Sequence, residues 1–489
     1  MKIIRNNHLQ CIAIFLFSIS CGRHEVNIPV TTQKEPEEIN LSSDFTATID
    51  QDILDTISNT LLGFNVVYPH EKDAIWQDGK IALYLKNIKT NILRYPGGTV
   101  VSFYHWDKLS GHGWDDSWAP NYSLTAKPKA DFMDFDQYIS LIRNTGATPL
   151  VGINMSSGRR WNRQEDGINE ALALMNYCTE KNFAVKYWYL DNEPYQDDSN
   201  GGAKTIEEYA QLINAYAQRM KEVDPNISLI ANWKSDFKGK RNEYKKLFEL
   251  AGHNIDIIDV HYYWAWSGPT MDQWLLNTPM RRWTNDSFIA DIAYFRQMVK
   301  DFGYPDTRLA ALEWNLGPIV DNALNSHQAA IIQSEIFLQY MIGGLDMATF
   351  WPLHWPNKDV TIRTLVDSEN NNPNPNYNIF RIFGEIQGNQ VLETRIEKSV
   401  EKTIFLAAYN NIKNHLQIVF LNKNESSLDI RFDSGLFENM LFLKGDVFEL
   451  INSGGSSSFK QMGRPIHHEK SIKFTSPGFS VSMLTYIKK

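Results

Sequence analysis

Two glutamates carry the strongest chemical signal in this chain. Glu193 closes the segment WYLDNE and Glu313 lies in LAALEWN, each following an apolar run beside aromatic residues. Loss of water in such surroundings raises the proton affinity of a carboxyl group. Two carboxyl groups held about 5–5.5 Å apart can cleave an acetal in two displacements. One attacks the anomeric carbon, and the other protonates the departing oxygen and later activates water. A lone glutamate at a strand end is most often solvated or ion-paired, so the signal is specific only if a scaffold brings positions 193 and 313 to one rim.

The sequence predicts that scaffold. Short β-type runs alternate with longer amphipathic ones from position 61: LLGFNVVY (61–68), NILRYPGG (91–98), TPLVGINM (148–155), VKYWYLDNE (185–193), SLIAN (228–232), IDIIDVHYYW (255–264), RLAALEWN (308–315) and MATFWPLH (347–354). Helical patterns such as DFDQYISLIRNTG, TIEEYAQLINAYAQRMKEVD and SHQAAIIQSEIFLQYMIGG separate them. Eight β/α units over 59–387 predict an α/β fold, a (β/α)8 TIM barrel with its active site at the C-terminal strand ends. Glu193 then ends the fourth strand and Glu313 lies near the end of the seventh.

Beyond about 388 the helical periods stop, and KTIFLAAYN, HLQIVFLNKN, LDIRFD, MLFLKGDVFEL and SIKFTSPGFSVSMLTYI predict an accessory all-β sandwich over 388–489, with a Gly/Ser-rich turn at 453–458. The stretch FTATIDQDI has nowhere to pair in a closed barrel, so the segment 44–58 is expected to join that sandwich.

Positions 1–21 read as a signal peptide: Lys2 and Arg5, an apolar stretch from Ile12 to Ile19, then Ser18-Ile19-Ser20 before Cys21. Cys21 in a lipobox predicts lipidation and an outer-membrane lipoprotein on the periplasmic or surface face; Ser18, where a larger aliphatic residue is usual, leaves ordinary cleavage and secretion open. The polar segment 22–43 reads as a tether. Cys178, in a helical pattern, reads as a small buried hydrophobe.

The 489 residues are 43% hydrophobic and 21% charged with a net charge of -9, a pI near 5.8 and a mean hydropathy of -0.37. These values exclude a polytopic membrane protein and offer no basic face to a nucleic acid. No ligand spacing suggests a metal, and no phosphate loop or cofactor motif follows a strand. The tracts DDS (197–199) and DSENNNPNPN (367–376) read as solvated loops, with incidental calcium binding as the alternative.

At the strand ends the chain resembles the retaining glycosidases of clan A, in which an Asn-Glu pair ends strand four and a nucleophilic Glu ends strand seven: Asn192-Glu193 and Glu313 match. NILRYPGGTVVSFYHW (91–106), DVHYYW (259–264) and LEWN (312–315) look most like the α-L-arabinofuranosidase family that also carries a C-terminal β-sandwich. The resemblance implies Glu193 as acid/base, Glu313 as nucleophile, Asn192 as donor to the sugar 2-hydroxyl, Tyr263 as the phenol orienting the nucleophile and Arg94 as its support. Arabinofuranosidases usually follow Asn-Glu with Met-Asp-Gly, whereas Pro194-Tyr195-Gln196 here is closer to pyranoside-cleaving members. The loop with Trp106, His112, Trp114 and Trp118 departs from the family as well.

Further candidates come from position. Arg94 could neutralise a buried carboxylate or support catalysis, both through one charge-assisted hydrogen bond. Gly97-Gly98 suits a turn or a close backbone approach. His261 shares a face with Tyr263 by period 2, and Trp314, Trp351 and Trp355 are candidate sugar-stacking rings. The substrate-binding set is thus Arg94, Asn192, His261, Tyr263, Trp314 and Trp351. The sequence predicts a retaining glycoside hydrolase acting on plant or algal polysaccharide or its oligosaccharides, without a cofactor. The alternatives are an endo-acting or pyranoside-specific glycanase of agarase, xylanase or glucuronidase type, and a surface lipoprotein that binds glycans without cutting them.

Overall fold

A computed structural model describes residues 40–489 apart from 72–75, 77, 109–112, 126–130, 197–202 and 357–361. The signal segment, Cys21, most of the tether, His112 and the tract at 197–199 lie outside the described residues. The barrel strands are β2 (Gly63–Asn65), β3 (Ile92–Tyr95), β4 (Thr148–Ile153), β5 (Tyr187–Leu190), β6 (Ser228–Asn232), β7 (Ile257–Trp264), β8 (Arg308–Leu316) and β9 (Met347–Phe350). They are parallel and close in sequence order, with Gly63 paired to Ile92 on one side and to Thr349 on the other.

Helices cover the outside: α1 (Lys80–Ile88), α2 (Phe135–Thr145), α3 (Gln164–Glu180), α4 (Ile206–Val223), α5 (Arg241–Ala251), α6 (Phe288–Asp301), α7 (Ser326–Gly343) and α8 (Asn376–Gly384). Several starts are fixed by reciprocal side-chain caps, Asp134 with Gln137 at α2, Thr205 with Glu208 at α4 and Asn325 with Gln328 at α7. Parallel strands covered on both faces are apolar on both. Ile92, Leu150, Tyr187, Ile230, Ile257, Ala310, Leu312 and Met347 fill the barrel interior, while alternate residues such as Val151, Trp188, Ile258 and Trp314 pack against the helices. The eight predicted barrel strands are all present, and most are shorter than their apolar runs because those runs extend into the loops at the rim.

The second layer is a ten-stranded sheet of β1 (Phe45–Thr56), β10 (Gln390–Lys398), β11 (Thr403–Asn410), β12 (His415–Asn422), β13 (Leu428–Asp433), β14 (Met440–Ile451), β15 (Ser456–Gln461), β16 (Ile466–His468), β17 (Ser471–Ser476) and β18 (Ser480–Lys488), ordered β15-β14-β18-β12-β11-β10-β1-β13-β17-β16. β1 pairs antiparallel with β10 and parallel with β13. The sheet folds over itself: Phe420 on β12 lies 6.2 Å from Phe474 on β17, although four strands separate β12 from β17 along the ladder. Period 2 sorts its faces. Leu416, Ile418 and Phe420 point into this fold-over, and Val419 and Leu421 join the barrel core. The predicted turn at 453–458 ends sooner, since Ser456, Ser457 and Ser458 pair with Ile451, Leu450 and Glu449.

Helix α7 runs between barrel and sheet, and every residue from Ala329 to Met341 is buried. Its Glu335 receives Lys423 from the sheet at 2.9 Å, with both side chains fully buried. Cys178 is a buried free thiol, pushed up to about 12 by burial. No helix among the described residues is long and apolar enough to cross a membrane.

Candidate active site

Period 2 on β7 turns Asp259, His261 and Tyr263 inward, while Ile258, Val260, Tyr262 and Trp264 join the outer core. On β8 that alternation alone would not serve, because Leu312 fills the interior and the next residue must also face it. The ladders slip between Asp259 and His261 on β7 and between Ala311 and Trp314 on β8. Such bulges re-aim side chains, and this one brings Glu313 into register beside His261.

Glu313 is held from two sides: Arg94 Nη1 donates to Oε1 at 3.0 Å and the Tyr263 hydroxyl to Oε2 at 2.9 Å. Arg94, fully buried on β3, also donates to Asn65 Oδ1 at 3.0 Å and to Asn192 Oδ1 at 2.7 Å, its guanidinium 4.3 Å from the Tyr189 ring centre. The arginine therefore positions the carboxylate and the Asn192 amide together. Asn192 Nδ2, buried, has no hydrogen-bond partner among the described residues and is left as a donor.

Glu193 lies three residues past the end of β5, where Asp191 and Glu193 both take left-handed backbone conformations, with φ of 67° and 42°. Non-glycine residues persist in that region only where their surroundings hold them. The Glu193 N–H donates to Asn232 Oδ1 at 2.9 Å, Asn232 Nδ2 to Asp259 Oδ2 at 2.6 Å, and the Leu312 N–H to Asp259 Oδ1 at 2.7 Å. One relay across β6 and β7 thus ties the backbones that carry the two glutamates.

His261 stands between the carboxyl groups. Its Nδ1 is 2.8 Å from Glu193 Oε1 and 3.4 Å from Glu313 Oε2, and Nε2 is 3.4 Å from Asp259 Oδ2 without hydrogen-bond geometry. Two such contacts on one atom keep the facing oxygens closer than the roughly 6.5 Å at which inverting spacings begin. Burial pulls the imidazole down, yet Glu313, Asp259 and Glu193 push it up to about 10, so it carries a proton at neutral pH. Burial pushes Glu193 up, but His261, Tyr195 and Arg94 together outweigh it and leave Glu193 below its ordinary value. Glu313 is raised by burial, with His261 and Arg94 opposing.

Half-buried rings border the pair. A Cβ on Gly98 would come within 2.6 Å of Trp351 Cη2 and 2.8 Å of Glu313 Oε1, so only glycine lets ring and carboxylate meet there. From Trp351 a file continues to Trp355 (5.7 Å between centres), His70 (4.2 Å) and Trp114 (5.5 Å). Trp266, 61% exposed, lies edge-on to Tyr263 at 5.0 Å.

The structure thus gathers Glu193, Glu313, Arg94, Asn192, His261, Tyr263 and Trp351. It does not gather Trp314, which is fully buried against Phe350 at 5.0 Å and Phe337 at 5.7 Å because it follows an inward residue on the strand. Trp106 packs on Tyr177 and Trp118 on His105, away from the carboxyl groups. Asp367 accepts the N–H groups of Glu369, Asn370 and Asn372, a turn built by its own side chain. Sequence reasoning passed over Asn65, Asn232, Asp259 and Asp191. Asp259 was within reach, since it shares the period-2 face of His261 and Tyr263.

Comparison with known proteins agrees with this geometry. A family model described as "Alpha-L-arabinofuranosidase 1 domain" matches residues 84–274. Alpha-L-arabinofuranosidase C of Emericella nidulans is 29% identical over 172 residues, 30% of each chain. Intracellular exo-alpha-(1->5)-L-arabinofuranosidase 1 of Bacillus subtilis is 27% identical over 265 residues, 47% of this chain and 48% of its own. The chain therefore matches less than half the length of these curated relatives. The crystal structure of the alpha-L-arabinofuranosidase of Thermotoga maritima in complex with arabinose superposes with a TM-score of 0.67 at 18% identity, covering 90% of this chain and 99% of that one. In sequence over much of the barrel, and in fold over barrel and sheet domain together, the chain is arabinofuranosidase-like.

Proposed function

We propose that this protein is a retaining glycoside hydrolase of arabinofuranosidase type, acting on plant or algal polysaccharide or its oligosaccharides. The observation that carries the reading is the single His261 nitrogen shared by Glu193 and Glu313, with Arg94 and Tyr263 fixing the latter. Glu313 attacks the anomeric carbon as the bond to the leaving oxygen breaks, and Glu193 delivers the proton to that oxygen. In the resting site this proton is carried by His261 Nδ1, one 2.8 Å hydrogen bond from Glu193 Oε1. In the second step Glu193 takes a proton from water, which displaces Glu313 and restores the starting configuration. Asn192 Nδ2 suits a hydroxyl beside the reacting carbon, and the Trp351 ring suits a sugar face. The file from Trp351 to Trp114 offers stacking surface for further sugar units.

The N-terminal motif supports export with lipid attachment at Cys21 and, through it, membrane association. Two acyl-bearing signals give stable anchoring where one does not. The test of the main reading is a screen of aryl glycosides, arabinofuranosides first, then galactosides, xylosides and glucuronides, with intact polysaccharides alongside. Product configuration is read by NMR. Release of sugar with retained configuration supports it; no release from any substrate, or inverted product, overturns it.

A further inference from the structure

The buried lysines and arginines of the described residues are Arg94, Lys204, Arg282, Arg363 and Lys423. Four have a carboxylate partner: Glu313 for Arg94, Asp191 for Lys204, Asp291 for Arg282 and Glu335 for Lys423. Arg363 is the exception. Its side chain is buried, with 8% of the residue exposed. Nη1 donates to the Leu316 carbonyl at 2.6 Å, Nε bonds nothing, and no carboxylate among the described residues pairs with it. A buried charge costs several kcal/mol unless it is matched, so an arginine left with one carbonyl among the described residues is open to a bound anion.

Its place says which anion. Arg363 lies beyond β9, and its Nη1 reaches the carbonyl of Leu316, the residue after Asn315 on β8, whose partner on β7 is Tyr263, the phenol that bonds Glu313. The Arg363 backbone is pinned to the same site: Asn315 Nδ2 donates to its carbonyl at 2.9 Å and to the carbonyl of Trp351 at 2.5 Å. Asn315 is in register with Tyr263. The guanidinium therefore stands at the rim end of β8, next to the strand position that pairs with the phenol on the nucleophile.

We propose that Arg363 is the anion-recognition point of this site, and that the sugar seated beside Tyr263 carries a carboxylate or a sulfate ester. A planar guanidinium takes either group with two parallel hydrogen bonds. The substrate class narrows, on the glycosidase reading, to uronate-bearing or sulfated glycans. This goes beyond what the relatives' names describe.

The test uses binding, so that it does not depend on turnover. The full chain with Glu313→Gln is titrated with two matched pairs and followed by tryptophan fluorescence. One pair is an aldouronic xylo-oligosaccharide and its carboxyl-reduced form; the other is a sulfated galactan oligosaccharide and its desulfated form. The charged member of one pair should bind about tenfold or more tighter than its neutral counterpart. Arg363→Met should remove that preference while leaving the neutral member's affinity within about twofold, and Arg363→Lys should keep part of it. The pair that responds identifies carboxylate or sulfate. No preference in either pair overturns the proposal, as does an Arg363→Met chain, folded by its thermal melt, that weakens charged and neutral members alike. Cleavage of the same oligosaccharides by the wild type is scored separately. Charge-selective binding without cleavage counts against the glycosidase reading alone, and cleavage without charge preference counts against Arg363 alone.

Discussion

Asp191 and Lys204 form a fully buried ion pair behind the glutamate at 193, with Nζ 3.1 Å from Oδ2. The same carboxylate accepts the hydroxyls of Ser102 at 2.7 Å and Ser156 at 2.6 Å, and the Lys204 N–H donates to the Pro194 carbonyl at 2.7 Å. The pair clamps both ends of the strained turn that presents Glu193.

Removing one partner of a buried pair leaves the other charge uncompensated, at a cost of about 3–5 kcal/mol. Lys204→Met should therefore lower stability by that order in urea unfolding. Asp191→Asn added to it should recover much of the loss, because both charges are then gone. Equal stability of wild type and Lys204→Met would show that the clamp does not hold the turn.

The two glutamates should separate kinetically. Glu313→Gln should abolish turnover of every glycoside, since no leaving group bypasses formation of the glycosyl-enzyme. Glu193→Ala should spare the first step for a dinitrophenyl leaving group, accumulate the intermediate, and regain turnover with azide as a glycosyl azide of unchanged configuration. Equal slowing of good and poor leaving groups by Glu193→Ala, with no azide effect, would remove it from the acid/base role.

His105 joins the loop after β3 to the barrel: Nε2 is 3.0 Å from Asp116 Oδ1 and Nδ1 is 2.9 Å from Glu170 Oε1. Burial pulls its pKa down, but hydrogen bonds donated to Asp116 and Glu170 push it up to about 9, from 6.5 in the unfolded chain. Asp116 is pushed up by burial, yet His105, Ser157 and Trp161 hold it down at about 2. Glu170 is raised by burial, so its ionisation works against stability above the ordinary glutamate range. A raised histidine stabilises fully below about 6.5, and that contribution is lost as pH rises through about 9. Melting temperature should fall over this window in the wild type, and His105→Asn should flatten that part of the curve. An unchanged slope in the variant would refute the pairing.

Trp314 and Trp351 make opposite predictions. Trp314→Ala empties a packed core position and should cost about 3–5 kcal/mol, and Trp314→Phe, a milder change, should leave KM near the wild-type value. Trp351→Ala, at the half-buried rim, should raise KM with a small change in stability. Chemical denaturation and steady-state kinetics on one substrate distinguish them.

The reach of sequence pattern can be read at individual residues. IDIIDVHYYW alternates cleanly, so His261 and Tyr263 were placed on one inward face, and the eight-unit count carried Glu193 and Glu313 to strand ends. The alternation also turns Trp314 outward once Glu313 faces in, so its placement among the binding residues ran against that rule. The bulge that lets Leu312 and Glu313 both face inward leaves no trace in residue types. Contacts across several strands, as between Glu193, Asn232 and Asp259, depend on the closed barrel and have no linear spacing to reveal them. Arg363 reads as one more polar residue of a long loop until its burial is known.

The position of β1 bears on how this chain can assemble. Thr48 donates to Glu397 at 2.5 Å, across 349 residues of sequence, and the strand occupies an interior place in the ten-stranded ladder. During synthesis β1 waits for partners until the whole barrel has emerged, and closing so long a loop makes its docking a late, slow event. Severing the chain between barrel and sheet would not yield two self-sufficient pieces. The piece from 388 onward would lack its central staple and present two raw edges, β10 and β13, to any neighbouring strand. The two domains are therefore one unit of inheritance and of quality control, stitched by the first of the described strands to be made.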